Sequence, residues 1–362
     1  MDKLILVNYF LPLVLAFFLA LIITPLIRKV ALKYKIVDYP REPRKIHSEP
    51  MPLLGGLAIY LAFFILVMFY WLNGMLLDGR IANWQIFGLL LGGLILMIGG
   101  FLDDKFKLKP FLSIIFPILA AMIIIFSGFK IGYLTNPLGG LLYLGATFWS
   151  PLIIFLWLMG TIYTTKFLDG LDGLVSGVAV IGAFILFLVS LFWDVPQSGT
   201  SILCLILGGS ALGFLVYNFY PAKIFLGEGG STFLGFMLGA LAIISGAKIA
   251  TTLLIMGIPI LDVVWVIARR IFKEKHSPFL ADNKHLHFRL LAAGFSQRQT
   301  VLFLYLITLL FGATAIFQKT SGKLITLGLL LSFMIMLGWW VVKRHNKNYQ
   351  NQKNQDPNNF QN

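Results

Sequence analysis

Apolar residues run in eleven long stretches, at about 5–26, 53–72, 85–102, 110–128, 151–167, 171–193, 200–219, 231–247, 250–268, 299–317 and 323–342. Each approaches the roughly 20 residues that a helix needs to cross a bilayer. The stretches are continuous and joined by short loops, whereas barrel strands would alternate over about ten residues. The pattern predicts an all-α polytopic membrane protein with about 11 transmembrane helices. The first stretch reads as a span and not as a cleavable signal, because it is long and lacks a basic leader. After residue 345 the chain turns to Asn and Gln. This predicts one transmembrane domain over 1–345 and a disordered cytoplasmic tail over 346–362.

Composition agrees. Only 12% of the 362 residues are charged and 58% are hydrophobic, against roughly 25% charged in a soluble domain. A soluble enzyme and an intrinsically disordered chain are both excluded. The single cysteine, Cys204, excludes an intrachain disulfide framework and a cysteine-based zinc site.

The charges set an orientation. With the N-terminus outside and the C-terminus cytoplasmic, 23 Lys and Arg fall on the cytoplasmic side and 6 on the other. That is the bias expected of a multi-pass protein of the plasma or inner membrane. Twelve of the fifteen carboxylates share the cationic side, and only Asp2, Asp78 and Asp194 do not. The positive-inside bias makes no demand on carboxylates, so their clustering needs another cause. The net charge of +14 fits either loops at an anionic leaflet or attraction of phosphate-bearing reactants.

Four groups of residues carry the chemistry. Asp103 and Asp104 end the third apolar stretch. Adjacent carboxylates at a membrane boundary are tolerable with a cation between them; otherwise they are a capped helix end. Asp169 and Asp172 lie in Asp169-Gly170-Leu171-Asp172-Gly173-Leu174. They share one face if the segment is helical, or belong to a tight turn. Gly227-Glu228-Gly229-Gly230-Ser231-Thr232 opens the eighth stretch. Glycine-rich backbone at a helix N-terminus suits phosphate, and Glu228 adds a hard oxygen for Mg²⁺. The Lys-Ser/Thr ending of a P-loop is missing. Asn218, Lys223 and Phe225 just upstream suit a nucleotide pocket. Lastly, His285 and His287 follow a basic loop, with His47 and His276 on the same side, while Arg269 and Arg270 close the ninth stretch and Asp262 lies within it. With no cysteine to support zinc, these histidines fit phosphate binding or proton transfer. Together the four groups describe phosphoryl transfer at a membrane surface. A transporter would bury ionisable residues at the bilayer midplane in broken, repeated helices; here they sit mostly at span ends and no internal repeat is seen.

These motifs, in this order, resemble the polyprenyl-phosphate N-acetylhexosamine-1-phosphate transferases of glycosyltransferase family 4. The branch is that of WecA and TagO, with MraY more distant. The resemblance is carried by Asp38-Tyr39-Pro40, Arg44-Lys45-Ile46-His47, Pro50 to Gly56, Asp103-Asp104, Asp169 to Leu174, Asn218 to Ser231, Pro259 with Asp262, Ser277-Pro278-Phe279 and His285-Leu286-His287. It implies transfer of N-acetylglucosamine 1-phosphate from a UDP-sugar to undecaprenyl phosphate, with release of UMP. The MraY-type alternative would take the muramoyl-pentapeptide nucleotide. The resemblance implies Mg²⁺ as cofactor, with Mn²⁺ able to replace it, and Glu228, Asn218 and Asp104 as its ligands. It makes Asp103, Asp104, Asp172, His285 and His287 the catalytic candidates. Asn218, Phe225, Asp169, Lys166, Lys223 and Arg270 become the nucleotide-binding candidates. The implied partners are a UDP-N-acetylhexosamine, undecaprenyl phosphate and the bilayer, with no nucleic acid and a homodimer left open. Four positions depart from the family's usual pattern: Tyr163 and Lys166 stand where Asn is frequent, Glu228 where Asp is usual, and Phe288 where a third His often falls.

Overall fold

A computed structural model describes residues 3–40, 49–76, 81–136, 140–144, 148–193, 198–245, 249–274 and 285–355. The Arg44 to His47 and Ser277 to Phe279 segments, with His276, lie outside the described residues. In chain order the elements are α1 (Lys3–Lys33), β1 (Val37–Asp38), β2 (Met51–Pro52), α2 (Gly55–Leu72), α3 (Asn83–Phe106), α4 (Pro110–Ser113) and α5 (Ile115–Phe126). Then come β3 (Tyr133–Thr135), β4 (Leu141–Tyr143), α6 (Trp149–Leu168), α7 (Leu174–Trp193), α8 (Gly199–Asn218) and α9 (Gly227–Ile244). The chain closes with α10 (Ile249–Ile255), α11 (Gly257–Arg269), a π-helical turn (Arg270–Glu274), α12 (Leu286–Ala292), α13 (Gln297–Phe317) and α14 (Thr320–Gln355).

The polytopic helical class holds, and the spans differ in length and continuity. Among the described residues nine helices are long and apolar enough to cross a membrane, or ten if α10 and α11 form one broken span. That pair is bent by 77°. Pro259 sits in the first turn of α11; in a helix continuous with α10 it would lack the N–H for the carbonyl of residue 255 and its ring would crowd that carbonyl, so the helix does not run through. The fourth expected span is a shorter apolar helix, Pro110–Phe126, interrupted at Ile114. Helix α14 continues to Gln355, because nothing in its Lys, Asn and Gln run breaks a helix before Pro357.

Helix α9 is the centre of the bundle: 89% of its apolar window is buried, against 22% for α1 and for the α14 span. A helix apolar all round belongs inside other helices, and small residues let backbones close up where lipid supplies no hydrophobic drive. Gly229 and Gly230 bring α9 against Gly100 of α3 and Gly56 of α2. On another side Gly235 and Gly239 receive Thr165 and Thr161 of α6. Phe63 and Phe233 meet edge-on between α2 and α9, and Phe236 packs on Gly92 of α3. The outer helices expose Phe10, Phe18 and Ile22 on α1 and Ile335 and Trp339 on α14, the apolar perimeter a bilayer covers.

The short strands fix one end of the bundle. β1 pairs antiparallel with β2, with Val37 opposite Pro52. The segment before α9 extends this ladder, since Phe225 N–H donates to the Pro52 carbonyl (2.8 Å) and Gly55 N–H to the Phe225 carbonyl (3.0 Å). The C-terminal ends of α3, α6 and α8 therefore meet the N-terminal ends of α2, α7 and α9 at a single pole, where the sequence motifs lie.

Candidate active site

The two adjacent aspartates at the end of α3 have separate tasks. Lys107 takes a left-handed conformation (φ 50°) and stops the helix. Asp103 then turns back to hold the following corner: its oxygens accept from Leu108 N–H (2.8 Å) and Ser113 Oγ (3.1 Å). Asp104 faces the other way, across to α9, and Oδ1 accepts the Glu228 N–H at 3.1 Å. A carboxylate at the first turn of a helix satisfies an orphan donor and meets the positive end of the dipole.

The glycines around Glu228 serve packing more than a phosphate cradle. Gly227 has φ of +75°, a conformation open to glycine at no steric cost. It turns the chain into α9. Gly229 and Gly230 are the close-approach points described above. Glu228 itself forms an ion pair with Lys166 of α6, Nζ to Oε1 2.5 Å, with both side chains at least three-quarters covered. The Lys166 ammonium also lies 5.6 Å from the centre of the Tyr163 ring.

Residues Asp169 to Gly173 form the turn between α6 and α7, so the tight-turn reading holds and the shared helical face does not. Asp169 is exposed at this pole and within electrostatic reach of Asp104 and Glu228, and the cleft is the space between these carboxylates. Crowding by surrounding protein, with the Glu228 and then the Asp172 carboxylate nearby, pushes it up to about 7. Asp172 points elsewhere and accepts the Ala222 N–H (3.0 Å). Asn218 joins the same two loops. Its carbonyl oxygen accepts from Gly173 N–H (3.1 Å) and Ser176 Oγ (2.7 Å), and its amide donates to the Ile224 carbonyl (3.0 Å). An amide oxygen has two lone pairs and both are engaged. Asn218, expected as a metal ligand, is thus built here as a loop clamp. Tyr305 of α13 completes the clamp by donating to the Gly173 carbonyl. Sequence reasoning did not select Tyr305; a tyrosine tip inside an apolar span was the available signal.

The histidines form a stacked row. Asp262, buried in α11, faces His285 Nδ1 (2.8 Å) and accepts the Leu286 N–H (2.9 Å). It thereby fixes both the ring and the start of α12. His285 stacks on Phe167 at 6.1 Å and on His287 at 5.7 Å, and Phe288 packs on His287 at 4.3 Å. His287 lies against Gly170 of the aspartate turn. Its two ring nitrogens are buried with no protein partner, and burial lowers its pKa to about 4. It is neutral at pH 7 and offers one donor and one acceptor. Replacing Asp262 by alanine leaves the Leu286 N–H and the His285 ring without their acceptor. The expected loss is about 1–3 kcal/mol of stability, read as a lower unfolding temperature of the purified protein. An unchanged transition would remove this role for Asp262.

The remaining candidates are placed as follows. Phe225 contributes its main chain to the β2 ladder. Lys223 is exposed, and its carbonyl accepts from Arg28 Nε at 2.9 Å. Arg270 is buried where α11 passes into the π-helical turn. Arg298 covers the Tyr220 ring at 5.5 Å; neither Arg28 nor Arg298 was singled out from the sequence. The fold thus gathers Asp104, Asp169, Lys166 and Glu228 at one pole, with His285 and His287 beside them through Phe167 and Gly170. Asp103, Asp172 and Asn218 hold the frame.

The carboxylates supply hard oxygen donors of the kind Mg²⁺ prefers. As they stand, no group of three His, Cys, Asp or Glu among the described residues is assembled for an ion, and Glu228 is turned to Lys166. The donor chemistry fits; closing it around an ion requires Glu228 to be released.

Comparisons with known proteins agree with this picture. A family model described as glycosyl transferase family 4 matches residues 86–246. The chain is 34% identical over 335 residues to a Bacillus subtilis (strain 168) protein named probable undecaprenyl-phosphate N-acetylglucosaminyl 1-phosphate transferase, covering 88% of this chain and 86% of that one. It is 33% identical over 304 residues to the decaprenyl-phosphate N-acetylglucosaminephosphotransferase of Mycolicibacterium smegmatis, covering 77% and 74%. It is 28% identical over 332 residues to the undecaprenyl-phosphate alpha-N-acetylglucosaminyl 1-phosphate transferase of Escherichia coli O157:H7, covering 88% and 86%.

Proposed function

The chain belongs to glycosyl transferase family 4, among the polyprenyl-phosphate sugar-1-phosphate transferases, and from that premise we propose that it transfers N-acetylglucosamine 1-phosphate from UDP-N-acetylglucosamine to undecaprenyl phosphate. One observation carries the reading: Asp104 meets Glu228 at the N-terminus of α9 beside Lys166, with Asp169 of a third motif within electrostatic reach. Such a set suits the meeting of two anionic phosphates.

In the reaction an oxygen of the lipid phosphate attacks the sugar-linked phosphorus of the donor. The bond from that phosphorus to the bridging oxygen breaks, UMP leaves with the electron pair, and undecaprenyl-diphosphate-N-acetylglucosamine forms. The phosphate oxygen is already ionised at neutral pH, so no proton has to move. Asp104, Asp169 and Glu228 are the residues to hold Mg²⁺, which when bound neutralises the facing phosphates and orients the diphosphate. Lys166 is the side chain at the cluster that meets negative charge, and the neutral His287 packs behind Gly170 of the aspartate turn. Arg28, Lys223 and Arg298 are exposed around the loop that leads into α9, and their charge draws anions to this end of the bundle.

The strong asymmetry of Lys and Arg along the chain, 23 against 6, supports an N-terminus outside and a site facing the cytoplasm. The lipid then arrives within the inner leaflet and the nucleotide from the aqueous side. The product is the kind of lipid-linked sugar that begins a cell-envelope polysaccharide.

The test is UMP release by purified protein in detergent, with undecaprenyl phosphate, Mg²⁺ and a panel of UDP-sugars. UMP that requires lipid, Mg²⁺ and UDP-N-acetylglucosamine is the expected result. UMP from the muramoyl-pentapeptide nucleotide alone would reassign the donor, and no UMP from folded protein would overturn the activity.

A further inference from the structure

The cleft contains a cation that the chain supplies itself. Lys166 reaches from the last turn of α6 to Glu228 at the mouth of α9, with Nζ 2.5 Å from Oε1. The Tyr163 ring, one turn earlier on the same helix, backs the ammonium at 5.6 Å and supports its charge by cation–π attraction. Both side chains of the ion pair are largely covered, so water screens them less than it would a surface pair. A divalent ion approaching Glu228 meets a carboxylate that already has a partner. It must separate the pair or bind beside a positive charge, and each costs affinity.

We propose that Lys166 is an internal counter-cation that competes with the divalent metal for Glu228, and so sets the metal affinity of the substrate-free protein. This rests on the Mg²⁺ reading given above. Its logic is that the cluster is held together without metal by one ammonium, which offsets the mutual repulsion of Asp104, Asp169 and Glu228. When Glu228 turns to the metal, the long lysine side chain is released toward the cleft, where the donor's diphosphate is the nearest new source of negative charge. Metal and nucleotide then favour each other's binding, as linkage requires of two ligands that bias one switch.

The experiment is calorimetric titration of Mn²⁺ or Mg²⁺ into the purified full chain in detergent, with no lipid or nucleotide present. Wild type is compared with Lys166→Asn and Lys166→Arg, each first shown to unfold cooperatively. Lys166→Asn is expected to bind metal about tenfold tighter or more, about 1.4 kcal/mol, while Lys166→Arg stays near wild type because it keeps the charge. Lys166→Met gives the same readout if the asparagine variant does not fold. Metal binding by wild type with no tightening in either neutral variant would overturn the proposal alone. Absence of metal binding in every protein would overturn the Mg²⁺ reading, and this proposal with it.

Discussion

Asp104→Asn is expected to lower UMP release by at least about 10³-fold, the scale of losing one strong electrostatic contact at a reacting centre, while the protein stays folded. The structure explains why these two outcomes separate. Asp104 accepts the Glu228 N–H through one oxygen, and the asparagine amide oxygen can accept the same bond, so the cap on α9 survives. The negative charge that faces the cleft does not. Asp103→Asn is the control. Asp103 is engaged by Leu108 and Ser113, so its substitution is expected to lower the unfolding temperature and cost less than about tenfold in rate. Measuring both variants for UMP release and for thermal unfolding decides between them. Equal losses of rate at the two positions would undo the division of labour described here.

Gly100→Ala has the second-largest expected effect, and for a steric reason. A methyl group at residue 100 would fall onto the Gly229 main chain, with no flexible side chain to give way. Helix α9 must shift at its first turn, which carries Glu228. Overpacking of this kind costs about 1–3 kcal/mol, and a displacement near 1 Å at a reacting centre can cost about 10²-fold in rate. Both losses are expected together in Gly100→Ala. Gly160→Ala in α6 is the matched comparison, because a methyl there meets nothing within 4 Å. Similar unfolding and turnover in the two variants would refute the tight α3–α9 contact.

Most of the helical architecture was legible from the apolar runs, because a span is announced by length and composition alone. Its exceptions were local. The bend between α10 and α11 depends on where Pro259 falls in a turn, and the Pro110–Phe126 helix on an interruption at Ile114, neither of which hydropathy registers. The site was legible as a set of motifs but not as a set of tasks. Asp103 and Asp104 are adjacent in sequence and diverge in space, because successive residues of a helix end point to different neighbours. Asn218 has the chemistry of a ligand, yet its hydrogen bonds go to Gly173, Ser176 and Ile224, partners up to 45 residues away. Likewise Tyr163 and Glu228, two separate departures from the family pattern, both touch a third, Lys166. Only folding brings Glu228 to the other two.

That contact has a bearing on how such a protein changes over generations. One face of α6 is pinned, with Thr161 and Thr165 set into Gly235 and Gly239 and the Trp157 indole donating to the Gly239 carbonyl at 3.0 Å. The face carrying Tyr163, Lys166 and Phe167 looks into the cleft and supports none of that packing. Mutations can accumulate on the second face without eroding the first, so donor preference can drift while the scaffold stays intact. A library at residue 163, with Lys166 and the Phe167 stack on His285 left in place, is where a search for new sugar nucleotides would begin.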